Sequence, residues 1–363
     1  MNDLIVNLSI VFEKPTGISN YITNLLPYLK SLQPTLLTSQ TYQDFNCYSI
    51  PGDMTPLQGT KGHFRRLLWT QLKLPKIASQ LQAKLLFSPQ PEAPIFTKTR
   101  YIIQVHDLIP LRFPQPNSPL TQYFRYYLPF VLKQAEHIIC NSQATAKDIQ
   151  EYYGIKSSKI TPILLAHNSA HFHPNLYRVE SEVNYFLYLG RQDPYKNLHR
   201  LIQSFAKLIK QKSHLKEYQL WLAGPCDRRF TPTLQTHVQE LEITPQVKFL
   251  DYVPFADLPN LISGATALVF PSLWEGFGFP VLEAMACGTP VITSNISSLP
   301  EVAGDAAILV NPYSIEEITA AMQTIASDSQ LRSHLSHLGL QRVKQFSWEK
   351  TAKQTIEVLS AYL

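Results

Sequence analysis

The run Pro271-Ser272-Leu273-Trp274-Glu275-Gly276-Phe277-Gly278-Phe279-Pro280-Val281-Leu282-Glu283-Ala284-Met285-Ala286-Cys287-Gly288-Thr289-Pro290 decides how this chain is read. An apolar stretch at 267–270 leads into it, Pro280 suits the opening position of a helix, and Gly288 suits its end. Strand, loop and helix therefore follow one another, with Glu283 expected in the first helical turn. Gly276 and Gly278 leave the backbone bare just ahead of the helix, so amide N–H groups and the positive end of the dipole meet any approaching anion. Glu283 is then the acceptor for a cis-diol such as a ribose, which offers two donors at carboxylate spacing. Glu275 lies in the loop, placed to face a second hydroxylated ring.

The same alternation runs outward in both directions. Short apolar runs rich in β-branched and aromatic residues separate segments of helical period, the pattern of βαβ units around a parallel sheet. Strands are expected at 4–11, 84–87, 101–106, 137–140 and 160–165, then at 185–189, 219–223, 247–250, 267–270, 290–293 and 307–310. The polar stretch 167–182 has no clean period and reads as a linker. The economical architecture is α/β, with two facing Rossmann-like domains: 1–166, and 183–345 beyond the linker. Ligands bind such sheets at the carboxyl ends of strands. Two such ends carry further candidates. Gly190-Arg191-Gln192-Asp193-Pro194-Tyr195-Lys196-Asn197 puts Arg191 and Lys196 on a turn, a planar fork and a compact charge suited to a diphosphate. His106 ends the strand 101–106 and is positioned to bond either a sugar hydroxyl or the carbonyl of its own loop. Gly17, at a helix start after the first strand, offers an amide to an anion.

Composition narrows the choice. With 363 residues, 45% hydrophobic and 16% charged, the chain is globular and long enough for two cores. Only 13 glycines occur, so each is worth placing, and a collagen-like or glycine-repeat chain is excluded. No GxGxxG fingerprint exists, which disfavours a nicotinamide or flavin dehydrogenase. The four cysteines are far apart with no CxxC pair, the histidine pairs lack carboxylate companions, and no Asp-x-Asp occurs. Neither a disulfide framework nor a metal site is expected, and a reducing cytoplasm fits. The start lacks a basic segment and cleavage site, so it reads as a core strand and not a signal peptide; no run of 18 or more apolar residues is present.

The net charge of +5 is unevenly spread: 16 Lys and Arg against 9 Asp and Glu over residues 1–165, but 16 against 18 over 166–363. The basic half is expected to face something anionic, such as a membrane surface or an acidic acceptor. Within it, 61–76 puts Phe64, Leu67, Leu68 and Leu72 on one helical stripe with Arg65, Arg66, Lys73 and Lys76 around it. Either this helix packs its stripe on the core or it lies in a membrane interface.

Glu275, seven intervening residues and Glu283, with Gly276-Phe277-Gly278-Phe279-Pro280 and Ala286-Cys287-Gly288-Thr289-Pro290, resemble the signature of family 4 retaining glycosyltransferases. The similarity extends to Gly17, Val105-His106-Asp107, Gly190-Arg191 with Lys196-Asn197, Phe270-Pro271-Ser272, Leu299-Pro300-Glu301-Val302 and Phe346-Ser347-Trp348-Glu349. It implies a GT-B fold with an interdomain cleft, an acceptor-side first domain, a donor-side second domain, and a C-terminal helix, 346–363, crossing back to the first. It further implies that Glu283 holds the nucleotide ribose and that Arg191 and Lys196 bind the donor diphosphate. Glu275 and the amides of Gly276, Phe277, Gly278 and Phe279 would hold the donor sugar, His106 its 6-hydroxyl region, and the Gly17 amide a phosphate. The base would lie against the loop 251–255, which includes Val253. Asp251 stands where the family often has Gly, and Asn20 where Arg is common. The implied reaction needs neither cofactor nor metal: a hexose leaves a nucleoside diphosphate by front-face displacement, with retention. UDP-glucose is the first choice of donor and GDP-mannose the alternative. The acceptor is expected to be a polysaccharide or lipid-linked oligosaccharide, as in exopolysaccharide biosynthesis, at the cytoplasmic membrane face. An epimerase would need acid and base groups around the sugar C2, and a binding scaffold would not need so complete a donor set; no nucleic-acid partner is implied.

Overall fold

The structure, a computed structural model, describes residues 3–11, 17–174, 183–212 and 215–363. It contains two compact units, one of residues 1–165 with 347–363, the other of residues 166–346.

The first unit holds a seven-stranded parallel sheet of β1 (Leu4–Asn7), β2 (Thr35–Thr38), β3 (Asn46–Ser49), β4 (Leu85–Ser88), β5 (Arg100–Val105), β6 (His137–Cys140) and β7 (Ile160–Pro162), in the order β3-β2-β1-β4-β5-β6-β7. The second holds a six-stranded parallel sheet of β8 (Tyr185–Leu189), β9 (Gln219–Ala223), β10 (Val247–Asp251), β11 (Ala267–Phe270), β12 (Val291–Ser294) and β13 (Ile308–Val310), in the order β10-β9-β8-β11-β12-β13. In each, chain progression reverses beside the first strand, between β1 and β4 and between β8 and β11. These are the switch points where open α/β sheets bind ligands.

Continuous apolar runs form the central strands because helices cover both faces of such a sheet. β1, β4, β6 and β11 are buried at every position. Ile5, Leu86, Ile103 and Ile138 lead the first core, and the helices 128–134 and 74–80 add Leu128, Val131, Leu74 and Ile77.

The sequence reading omits β2 and β3. β3 is exposed at three of its four positions and contains Asn46 and Cys47, so it has no apolar run to detect; pairing with β2 makes it a strand. β1 and β7 are shorter than expected: the chain leaves each sheet after Asn7 and Pro162. The expected linker 167–182 includes 175–182, which lie outside the described residues. His171 within it stacks on Phe255 at 3.8 Å, so this segment packs with the second unit.

The expected helix 61–76 is two helices, Gly59–Leu72 and Leu74–Gln80, with Lys73 between them and Pro75 in the first turn of the second. Arg66, expected beside the apolar stripe, points inward instead. It is 2% exposed and holds Glu92 through Nε and Nη2, both at 2.7 Å, with Met54 O accepting from Nη1.

The last helix, Trp348–Ser360, opens on Ser347, whose side chain accepts from the Lys350 amide. It joins the first unit: Thr351 donates to Leu164 O at 2.7 Å, and Trp348 lies 6.3 Å from the Tyr21 ring.

Candidate active site

In the second unit, the carboxyl ends of the neighbouring strands β8 and β11 carry most of the candidate residues. β8 ends at Leu189 and runs into Gly190-Arg191; β11 ends at Phe270 and runs into the loop 271–278. The two loops are tied together. Leu273 N donates to Tyr195 O at 2.7 Å, and the Asn197 side chain donates to Pro271 O at 3.0 Å and Pro312 O at 2.6 Å. Asn197 sits at φ 65°, a conformation Asn tolerates, and this aims its amide at both carbonyls.

Lys196 Nζ meets Glu275 Oε1 at 2.6 Å, and the two side chains are only 12% and 11% exposed. Phe270 lies beneath the ammonium, 5.2 Å from ring centre to Nζ. Arg191 remains 63% exposed and grips the Asp193 carboxylate with two nitrogens at 2.9 Å. Each expected phosphate-binding cation thus has a carboxylate orienting it. Asp193 was not among the sequence candidates; its only signal was its place two residues after Arg191.

The loop 275–277 is held from beyond β12. Ser298 Oγ lies 2.9 Å from Glu275 O and 2.6 Å from Phe277 O, and Ser297 Oγ accepts from the Glu275 amide at 3.3 Å. The Phe277 ring is 3% exposed and belongs to the core, leaving its backbone as the part able to serve a ligand. Gly278 takes φ 121° and precedes the helix Phe279–Ala286. Glu283 is the fifth residue of that helix, so it stands in the second turn and not the first as the sequence suggested: the helix opens one residue before Pro280. Burial pushes its carboxyl up to about 7.

At the adjacent strand ends, Gly190 N donates to Ala223 O and Gly224 N to Asp251 O, both at 2.9 Å. A Cβ on Gly224 would lie 1.9 Å from Gly190 O, and its φ is +145°. Asp251 itself adopts φ 50°, the left-handed conformation, and its carboxylate accepts from Cys226 N at 2.9 Å. That local bond explains how an Asp occupies a position well suited to glycine. Val253 follows, half-buried between exposed neighbours.

In the first unit, His106 follows β5. Its Nε2 lies 2.9 Å from Pro89 O, so this nitrogen carries the hydrogen; Nδ1 accepts from the Asn141 amide at 3.2 Å. Burial pushes its pKa down to about 4, so the ring is neutral near pH 7. The carbonyl is not that of His106's own loop, as the sequence suggested, but Pro89 O in the loop after β4, and both ring nitrogens are engaged within the unit. Behind Asn141 stands a buried chain in which Gln104 donates to Asn141 Oδ1 at 2.6 Å and Tyr21 donates to Gln104 Oε1 at 3.2 Å. Neither Asn141 nor Gln104 was a sequence candidate, because adjacency of β5 and β6 brings them to His106. Gly17 is the first residue of the helix Gly17–Leu25, where amides lack intrahelical partners; the residues just before it, 12–16, lie outside the described part. Among the described residues, no group of three or more His, Cys, Asp or Glu is placed to hold a metal ion.

Comparison with known proteins places this arrangement. Residues 173–342 match the family model for glycosyl transferases group 1, and residues 15–165 match that for glycosyltransferase family 4. The O-antigen chain mannosyltransferase RfbU of Salmonella typhimurium is 30% identical over 335 residues, 89% of this chain and 90% of the relative. The O-antigen chain mannosyltransferase B of Escherichia coli is 39% identical over 172 residues, but the match spans only 47% of this chain and 44% of that relative. Among solved structures, Anabaena HepE in complex with UDP-glucose aligns with a TM-score of 0.77 at 17% identity, covering 99% of both chains. Sucrose-phosphate synthase from Thermosynechococcus elongatus aligns with the same TM-score at 18% identity, covering 99% of this chain and 98% of that one. At such identities these structures speak for the fold alone. Two parallel-sheet α/β units, both family models and a full-length relative agree: the chain is a glycosyltransferase enzyme of GT-B fold and belongs to glycosyltransferase family 4.

Proposed function

We propose that this enzyme transfers mannose from GDP-mannose to a growing polysaccharide or lipid-linked saccharide. The geometric observation that supports transfer from a nucleoside diphosphate is the gathering of Arg191, Lys196 and Glu275 at the carboxyl ends of β8 and β11, with Glu283 on the helix that follows β11. The names of the relatives support the choice of donor. RfbU and mannosyltransferase B both carry mannosyltransferase names, which favours GDP-mannose over the UDP-glucose that the sequence alone put first.

In the proposed reaction the bond from sugar C1 to the diphosphate oxygen breaks, negative charge grows on that oxygen and positive charge on the sugar. Arg191 and Lys196 stabilise the leaving diphosphate without a metal ion, already oriented by Asp193 and Glu275. Glu283 accepts from the ribose hydroxyls. Glu275 and the backbone of Gly276 to Phe279 hold the donor sugar, Val253 and its loop the base, and the Gly17 amide a phosphate. His106 meets the sugar hydroxyl by exchanging its bond to Pro89 O or to Asn141 for one to the sugar, and its neutral ring adds no charge of its own to repel the developing cation. The acceptor hydroxyl bonds to C1 on the face the diphosphate leaves, giving its proton to the departing oxygen, so configuration is retained.

Calorimetric titration with GDP-mannose and UDP-glucose tests the donor, and product analysis tests the reaction. Tighter binding of GDP-mannose, with GDP released as the acceptor gains a mannose, is the expected result. Preferential binding of UDP-glucose would restore the other donor. A new sugar nucleotide in place of a glycosylated acceptor would point to epimerisation, and binding with neither product to a scaffold.

A further inference from the structure

The helix Gly59–Leu72 turns a large apolar stripe outward. Phe64, Leu68 and Leu72, four residues apart along one line, are 60%, 44% and 62% exposed, while Gly62, Arg66, Trp69 and Thr70 face inward. This reverses the usual partition: a guanidinium is buried and paired with Glu92 beneath a helix whose outer side is Phe and Leu. The stripe continues onto a second segment. The Gln71 side chain donates to Ala93 O at 3.1 Å and accepts from Ile95 N at 2.9 Å, holding the 93–96 chain beside the end of the helix; the next residue, Phe96, is 87% exposed.

Cations flank this ridge. Phe96 borders an open hollow of about 1210 Å3 whose lining includes Lys76, Lys84, Lys98 and Arg100. Lys84 is paired with Asp3 at 3.0 Å, Arg65 with Asp53 at 2.8 Å, and Arg100 donates to Tyr362 O. Among the described residues, no carboxylate lies within 4.0 Å of Lys61, Lys73, Lys76 or Lys98.

We infer that this face docks on an anionic lipid bilayer. Phe64, Leu68, Leu72 and Phe96 enter the interface, while Lys61, Lys73, Lys76 and Lys98 lie at the level of the lipid phosphates. A ridge one helix wide, rimmed by unpaired cations, matches a fluid apolar layer beneath a negative surface. Among the described residues, no helix is long and apolar enough to cross a membrane. The inference deepens the proposed function by bringing the enzyme to a lipid-borne acceptor. Its test uses no sugar nucleotide, so its failure would leave the transferase reading intact.

The test is cosedimentation of the full chain with phosphatidylcholine vesicles, with and without phosphatidylglycerol. Binding is expected only where phosphatidylglycerol is present and should weaken as salt rises. Leu68→Asp with Leu72→Asp, and separately Lys73→Glu with Lys98→Glu, should each lower partitioning about tenfold or more at unchanged thermal unfolding. Because these side chains are exposed, both variants should fold; if the aspartate pair does not, the glutamate pair carries the test. Wild-type protein that ignores anionic vesicles, or folded variants that bind as wild type does, would overturn the inference. So would a dimer in sedimentation velocity that the aspartate pair abolishes while vesicles are not bound, since the face would then be a contact between copies of the chain.

Discussion

At the scale of the residue, Lys196 shows how the site is prepared. Its ammonium rests on Glu275 in a nearly closed setting, so a diphosphate arriving there competes with a carboxylate already in place. Lys196→Ala removes the charge and leaves Glu275 without that partner. The variant should lose about 2–4 kcal/mol of transition-state stabilisation, read as kcat/KM, and Arg191→Ala a similar amount. The better-buried Lys196 should also cost stability, whereas exposed Arg191 should not. Glu283 gives a pH signature. Ribose hydroxyls donate to the carboxylate, so binding favours the ionised form of a group pushed up to about 7. Donor affinity should therefore rise with pH, at most tenfold per unit below that value, and level off above it; Glu283→Gln should flatten the curve in calorimetry. Folding has the opposite dependence on this group: stability should fall as pH rises from about 4.5 toward 7, because the fold favours the protonated acid. His106 depends on Asn141 for its tautomer. Asn141→Asp offers only acceptors while Pro89 O still accepts from Nε2, so both nitrogens should hold a hydrogen more readily and the pKa rise from about 4, visible in imidazole nitrogen NMR. If His106 meets the donor sugar as proposed, kcat should fall about tenfold or more in the same variant.

At the scale of the element, the glycines divide by what they meet. Gly224 allows β9 to end against the backbone of Gly190; a Cβ there would lie 1.9 Å from Gly190 O, at a φ that L-residues rarely adopt. Gly224→Ala should cost about 2–4 kcal/mol in denaturant unfolding, whereas Gly17→Ala should cost little, since its Cβ would meet nothing within 4 Å. The loop 271–278 and its following helix were legible in sequence, because Pro280, Gly278 and Gly288 each favour local backbone that needs no distant partner. The helix Gly59–Leu72 was not. Apolar periodicity marks a stripe without saying which side the rest of the unit covers, and burial of Arg66 depends on Glu92, 26 residues away. β3 escaped for a related reason: its strand character comes from β2.

At the scale of the whole molecule, chain order and spatial grouping differ. The segment 347–363 follows the second unit in sequence yet packs in the first, through Thr351 on Leu164, Tyr362 on His137 and a buried Leu359. Removing it should lower the unfolding temperature of the first unit by several degrees or more and leave that of the second unchanged, seen as separate shifts in scanning calorimetry. Residue order alone carries the alternation of strands and helices, the strand-end positions of Arg191, Lys196, Glu275 and His106, and the uneven charge of the two halves. Each follows from local backbone preference, from apolar period or from counting. Folding adds the strand order that sets β8 beside β11, the carboxylates that orient the two cations, the Pro89 carbonyl and Asn141 amide that fix the tautomer of His106, and the outward turn of Phe64, Leu68 and Leu72. These rest on contacts between residues far apart in the chain, and such contacts leave no periodic trace in the sequence.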